Sequence, residues 1–271
     1  MKRNSISNKD CIKYLKSLPD KSVDLVLTDP PYFIGFDGGK GWDSYWKHDR
    51  EYIMWCMEWS RECIRVLKDE RMFVVWGTLK TETFLLYKMA LNRTKGIYPQ
   101  NEIIWSYNWG GRSKDNFARK HEYAWCYSTG EKFLFNGDDV RVDRKVKNNL
   151  RNGKKYTKGT IPTCVWCNQP FENIHIPTCV MEKNNHTTSK DYCGWHPTTK
   201  NLDILQRIIK GYTNENDIVL DPFMGSGSTA IACKLSNRDY MGCELDKDYI
   251  SQAIERINSY NRIPTLTQFL C

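Results

Sequence analysis

Two short stretches of this 271-residue chain carry residue types able to do chemistry together. The first is Asp29-Pro30-Pro31-Tyr32, which directly follows the apolar run Val23-Asp24-Leu25-Val26-Leu27-Thr28. The run has the length and β-branched content of a short buried strand. Pro30 lacks a backbone donor, and Pro31 steers Pro30 away from helical dihedrals. The chain therefore leaves the strand in one stiff, extended shape. It presents a carboxylate, a free carbonyl and an aromatic ring in succession, which suits gripping a flat molecule that bears an amino group.

The second stretch is Ile218-Val219-Leu220-Asp221-Pro222-Phe223-Met224 followed by Gly225-Ser226-Gly227-Ser228-Thr229-Ala230. The last six residues fit the Gly-x-Gly-x-x-Gly/Ala nucleotide turn, with a strand pattern before and a helical pattern after. Glu244 ends the next strand pattern, 23 residues after Asp221, where an acid can accept bonds from ribose hydroxyls. Asp221 stands just before the turn and faces the same crevice. An anion there repels a diphosphate and suits a cationic ligand. S-adenosyl-L-methionine offers an α-ammonium, a sulfonium and a ribose for Glu244. In an open α/β sheet, ligands bind outside the carboxyl ends of the strands. A cofactor at Gly225 and a flat substrate at Tyr32 can then meet, and the reaction this implies is group transfer.

These stretches need a scaffold, and the periodicities supply one. A short helical pattern with Ile12, Leu15 and Leu18 on one face precedes the first strand and ends at Pro19-Asp20. Helical spacing recurs over about 49–67 and 80–92, on either side of a strand from Arg71 to Gly77. Strands are expected at Asn101–Tyr107 and Glu122–Tyr127, paired antiparallel. His196-Pro197-Thr198-Thr199-Lys200 leads into a helix with Leu202, Leu205, Ile208 and Ile209 on one face and Gly211 as its stop. A helix to about Leu235, a strand Tyr240–Cys243 and a helix from about Lys247 to Tyr260 complete the pattern. Strands alternating with helices imply a mostly parallel sheet covered on both faces. Gly35 to Trp42 reads as a mobile, glycine-rich loop beside the first stretch, with the character of a lid.

Composition narrows the partners. The formal net charge is +8, and residues 112–200 hold 16 Lys/Arg against 9 Asp/Glu, so nearly all the excess lies in the middle third. Arg144, Lys145, Lys147, Arg151, Lys154, Lys155 and Lys158 form a run without an acidic residue inside it. With its Asn, Gly and Tyr neighbours, the run has the look of a phosphate-backbone contact surface. No apolar run approaches the roughly 20 residues of a membrane span, and no signal-peptide pattern opens the chain. An intracellular, soluble protein is expected. The 11 cysteines do not read as a disulfide framework; Cys56, Cys126 and Cys233 sit in apolar contexts as small buried side chains.

At this point the residues resemble a known family, the S-adenosylmethionine-dependent DNA methyltransferases that methylate exocyclic amino groups. Asp-Pro-Pro-Tyr at 29–32 looks like that family's catalytic motif, and Asp221-Pro222-Phe223-Met224-Gly225-Ser226-Gly227 like its cofactor motif. His196 to Lys200 matches the segment before the cofactor motif, although the family often has proline where Asn201 stands. The order, catalytic motif first and variable region between, is that of the β group. The resemblance implies an α/β fold: a circularly permuted, Rossmann-like methyltransferase sheet with helices on both faces and an inserted target recognition region. It implies a catalytic half over 1–130, the target recognition insert over 131–192 and a cofactor half over 193–271. Asp29 and the Pro30 carbonyl would accept bonds from the target amino group, with Pro31 and Tyr32 completing the motif and Tyr32 stacking on a flipped-out base. Asp221, Phe223, Gly225, Gly227 and Thr229 would line the methionine and ribose end of the cofactor, and Glu244, with Leu245 beside it, would bind the ribose. Asp10 and Cys11 would lie near the adenine of the cofactor, and Thr198 and Lys200 near its methionine carboxylate. DNA contacts would come from Lys40, Trp109, Arg112 and the basic run. The implied partners are double-stranded DNA, a cognate restriction endonuclease and a second copy of the chain.

The implied reaction needs no covalent intermediate. Bonds from both amino protons to Asp29 and Pro30 would pull the nitrogen towards tetrahedral for direct in-line transfer. Carbon-5 methylation of cytosine needs a nucleophilic cysteine, usually within Pro-Cys, and none of the 11 cysteines follows a proline. Asp at the first motif position favours adenine N6 over cytosine N4. A catalytically silent binding protein on the same fold conflicts with the intact Asp29 and glycine turn. Glutamine methylation usually shows Asn in place of Asp29 and the opposite motif order. Cys164-x-x-Cys167, His175, Cys179, His186 and Cys193 invite a zinc reading, but the spacing fits no finger pattern, and no metal is expected.

Overall fold

The structure is a computed structural model that describes residues 1–107, 114–115, 120–140, 150–151, 154–155, 180–182 and 191–261. The N-terminal half contributes strands β1 (Ser5–Asn8), β2 (Val23–Thr28), β3 (Leu67–Gly77), β4 (Tyr98–Ser106) and β5 (His121–Ser128). It also contributes helices α1 (Cys11–Lys16), α2 (Asp49–Val66) and α3 (Glu82–Leu91). A two-residue hairpin follows, β6 (Leu150–Arg151) with β7 (Lys154–Lys155), and then β8 (Val180–Glu182). The rest is α4 (Leu202–Tyr212), β9 (Ile218–Asp221), α5 (Ser228–Lys234), β10 (Asp239–Glu244) and α6 (Lys247–Asn258).

Eight strands form one sheet in the order β1-β10-β9-β2-β3-β5-β4-β8. Only β5 runs against the others, paired antiparallel with β4, as expected, and also with β3. β2 lies at the centre with all six residues buried, which is why Leu25-Val26-Leu27 is apolar without alternation; the buried Asp24 is paired with Lys68 and Arg71. The side chains of β2 nonetheless split between two cores. Val26, Phe73, Val75 and Leu220 pack with α1, α2 and α3 on one face. Leu25, Leu27, Val74 and Val219 pack with α4 and α5 on the other. The permuted order is visible in the pairing: β9 and β10, from the C-terminal part, sit between β1 and β2.

Three features differ from expectation. Ser5-Ile6-Ser7-Asn8 forms an edge strand, parallel to β10; so polar a segment carries no strand signal, because only one side of it is paired. Val180–Glu182, inside the stretch read as irregular, returns to the sheet parallel to β4. Gly211 does not stop α4, which continues to Tyr212. A Cβ there would lie 3.4 Å from both Phe135 and Val140, so the glycine makes room for residues 133–140, which lie along α4. Asn136 bonds the carbonyls of Lys210 and Thr213 there. Asn201, where proline is more usual, caps α4 by accepting from the Ile204 amide.

Candidate active site

The two chemical stretches leave adjacent strands. β2 pairs with β9 directly, Val26 opposite Leu220, so Asp29 and Asp221 emerge side by side at the carboxyl edge of the sheet. Thr28 joins them, its hydroxyl donating to Asp221 Oδ1 at 2.8 Å. Both open into one cavity of about 510 Å³. It is lined by all of the expected catalytic and cofactor residues except Gly227, which lies behind the turn against Ala253 and Ile257.

The Asp-Pro-Pro-Tyr exit is fixed from several sides. The Pro31 carbonyl accepts from Tyr52 Oη at 2.6 Å. Tyr32 meets Phe84 edge to face, with centroids 5.0 Å apart, and its hydroxyl donates to Asp29 Oδ1 at 2.5 Å. Burial and the neighbouring Asp29 carboxylate push the Tyr32 phenol upwards, so it stays protonated. Asp29 Oδ2 faces Lys200 Nζ at 2.5 Å. Lys200, expected beside the methionine carboxylate, is thus on Asp29, and Glu122 of β5 stands 3.3 Å from the same ammonium.

The loop after Tyr32 is tied down at its base. Asp43, 1% exposed, accepts from the amides of Phe33, Ile34 and Phe36 at 2.6, 2.8 and 3.0 Å. Its aromatic residues continue into the cofactor side, Trp46 against Trp55 and Trp55 against Phe223. At the far side Lys40 bonds Asp246 at 2.6 Å and lies over the Tyr249 ring. Lys40, expected on DNA, therefore latches the glycine-rich loop to the start of α6. Trp109, Arg112, Arg144, Lys145, Lys147 and Lys158 lie outside the described residues. Arg151, Lys154 and Lys155 are described only by the backbone pairing of β6 with β7.

The glycine turn has the shape its sequence demands. Gly225 and Gly227 adopt φ of +45° and +75°, and Gly227 caps α5. A Cβ on Gly225 would lie 2.8 Å from His196 Nε2, so the bare backbone is what keeps the turn open. Gly225 N–H donates to Glu244 Oε2 at 3.0 Å, while Oε1 accepts from the amides of Leu245 and Asp246. Burial raises the Glu244 carboxyl, and these three amides oppose the shift. Asp221 is 3% exposed, and burial pushes its carboxyl up to about 7 despite bonds from Thr229, Thr28 and the Phe223 amide. Thr198 lines the cavity, and its amide donates to His196 Nδ1 at 3.2 Å. Asp10 caps α1 by accepting from the Lys13 amide, and burial, with Asp10 adding to it, raises the thiol of Cys11 far beyond reactivity. A buried acid, a glycine turn and a strand-end carboxylate around one cavity fit a nucleoside that carries positive charge.

Glu122, His196, Asp43 and the tryptophans of the loop were missing from the expected site. His196 heads the His-Pro-Thr-Thr-Lys segment, and that position was its only signal. Burial lowers its imidazole to about 4, so it is neutral near pH 7 and packs on Tyr249. Among the described residues, no group of three His, Cys, Asp or Glu could hold a metal ion. Cys193 instead contacts the Thr199 hydroxyl at 3.1 Å, and the other members of the Cys/His set lie outside the described residues. No described helix is long and apolar enough to cross a membrane.

A permuted, mostly parallel sheet with an acid at each of two adjacent strand ends and a glycine turn after the second fits a nucleoside-dependent group-transfer enzyme. Comparison gives the family: a model described as DNA methylase, for N6 and N4 methyltransferases, matches residues 23–255, and the chain belongs to that family. It is 34% identical over 251 residues to the type II methyltransferase M.HpaI of Haemophilus parainfluenzae, covering 92% of this chain and 73% of the relative. It is 31% identical over 258 residues to the DNA adenine methyltransferase YhdJ of Escherichia coli K12, covering 94% and 82%. Among solved structures, the fold matches the PvuII cytosine-N4-specific DNA methyltransferase with a TM-score of 0.70 at 16% identity, over 100% of this chain and 91% of that one. It also matches M1.HpyAVI bound to SAM, with a TM-score of 0.57 at 24% identity over 93% and 98%.

Proposed function

We propose that this chain is a site-specific DNA methyltransferase that uses S-adenosyl-L-methionine to methylate adenine N6 in duplex DNA. The observation that carries the reading is the pairing of β2 with β9, which brings Asp29 and Asp221 to one cavity. When bound, S-adenosylmethionine supplies an electrophilic methyl group. Asp221, Gly225, Thr229 and Glu244 would hold it, with the Asp221 carboxylate answering its positive charge. Asp29 and the Pro30 carbonyl would accept hydrogen bonds from the two N–H groups of the target amino group and draw its lone pair out of the ring; the nitrogen would gain the methyl as the bond to sulfur breaks, and one amino proton would leave by way of Asp29. No side chain of the protein needs to attack the base, which agrees with thiols such as Cys11 that are buried and protonated. Extruding the base costs roughly a few kcal/mol, and aromatic faces at the cavity, Tyr32 and Trp46 among them, return part of that by stacking. The adenine assignment is supported by Asp29 at the head of the motif and by similarity to YhdJ, a DNA adenine methyltransferase. The type II designation of M.HpaI supports a further reading of the chain as the modification partner of a restriction endonuclease. Residues 131–192 are read as the part that recognises the target sequence, with residues 133–140 fastening its start to α4.

The test is transfer of labelled methyl from S-adenosylmethionine to DNA from a methylation-deficient host, followed by nucleoside analysis. N6-methyladenine is expected. Asp29→Ala should reduce transfer by at least about 100-fold and leave cofactor affinity within about threefold of wild type. N4-methylcytosine as the product would overturn the base assignment, and full activity of Asp29→Ala would overturn the mechanism.

A further inference from the structure

Beside the Asp-Pro-Pro-Tyr exit, one cation stands between two carboxylates. Lys200 Nζ is 2.5 Å from Asp29 Oδ2 and 3.3 Å from Glu122 Oε2. Its side chain is 9% exposed, and the ammonium faces the rings of Tyr32 and Trp76 at 5.9 and 5.6 Å. Burial works against the charged amine, yet Asp29 and Glu122 together hold its pKa above the ordinary lysine value. The cation is therefore permanent. Of its two partners, Asp29 has a role in the reaction and Glu122 has none so far. Glu122 comes from β5, opposite Trp105 in the sheet.

In this arrangement Asp29 accepts from Tyr32 on one oxygen and from Lys200 on the other. An amino group arriving at Oδ2 meets an ammonium in its place. Pulling that ammonium away with nothing to receive it would strand a buried charge, which is costly. Glu122 lies within reach to receive it.

We propose that Lys200 is a two-position clamp, which holds Asp29 while no target base is present and passes to Glu122 when the target amino group takes Asp29 Oδ2. The clamp rests on the amino-group reading given above. Lys200 and Glu122 are positioning residues here, acting through Asp29. The three groups sum to one negative charge. Removing Lys200 alone makes the sum two negative charges, and removing the Glu122 charge as well restores it to one.

Glu122→Gln, Lys200→Met and the double variant test the clamp by three measurements on each protein. These are the melting temperature without ligand, S-adenosylmethionine binding by tryptophan fluorescence, and methyl transfer as a function of DNA concentration. Glu122→Gln should lower kcat about tenfold, with KM for DNA and cofactor affinity unchanged within about threefold. Lys200→Met should lower both the melting temperature and kcat, because it leaves two half-buried carboxylates facing one site without their cation. The double variant should regain melting temperature and be at least about fivefold faster than Lys200→Met. A double variant as slow and as unstable as Lys200→Met overturns the clamp. So does a loss of cofactor affinity beyond about tenfold in Lys200→Met, which would place the ammonium on the cofactor. A wild-type protein that transfers no methyl group to DNA overturns the activity instead, and the melting temperatures still decide whether Lys200 balances both acids.

Discussion

Asp221 is the residue whose ionisation decides how well a cationic nucleoside is held. Its carboxyl titrates near 7 because burial disfavours the charge. Below that pH it is neutral and offers no charge to an ammonium or sulfonium; above it the carboxylate is present. Affinity for S-adenosylmethionine should therefore rise with pH, by up to about tenfold between pH 6 and 8. Asp221→Asn should flatten that profile at the weak end, and a flat wild-type profile measured by titration calorimetry would count against Asp221 as the counter-charge. At this scale the motif residues were legible because chemistry restricts them to few types: Asp29, Asp221, the turn glycines and Glu244 could be read from type and spacing. Glu122 was not. It is one position of an ordinary strand, and only the register of β5 against β4 sets it within reach of Lys200. Lys200 was legible as a site residue, but its partner was not, because the segment that carries it shows no direction for a long flexible side chain.

The turn after β9 depends on how closely β10 can approach. Gly242 pairs with Asp221, and a Cβ on it would lie 2.2 Å from the Asp221 carbonyl oxygen and 2.4 Å from Met224 Cε. The backbone atom cannot move without moving the cofactor acid. Gly242→Ala should destabilise the protein by roughly 3 kcal/mol and weaken cofactor binding more than DNA binding. Chemical denaturation and fluorescence titration would read the two effects, and a stable variant with normal affinity would show that the strands can part. Periodicity located α2, α3, α4 and α6 because each has a continuous buried face. It missed β1, whose polar residues pair on one side only, and it misread Gly211, because a glycine that admits Phe135 and Val140 looks in sequence like one that ends a helix.

For the whole molecule, the basic middle third sets how the protein meets a polyanion. Its excess charge should make the logarithm of the DNA association constant fall linearly with log salt, with a slope of about −0.9 per phosphate neutralised. Binding measured between low and physiological salt with no slope would remove that segment from the interface. The sheet order was legible only through the order of the motifs, since no local pattern says that β9 will enter between β1 and β2. That insertion has a consequence for synthesis. When the ribosome has made the first 140 residues, β2 has β3 on one side and nothing on the other. Its partner β9 appears some 190 residues after it, and β1 waits longer still for β10. Until then the nascent chain displays a central strand unpaired on one side, with Leu25-Val26-Leu27 uncovered, the kind of edge that recruits other chains. A fragment ending at residue 140 should therefore aggregate or bind chaperones. Supplying residues 191–261 as a separate chain should restore its solubility by closing the sheet, readable by co-expression and size-exclusion chromatography.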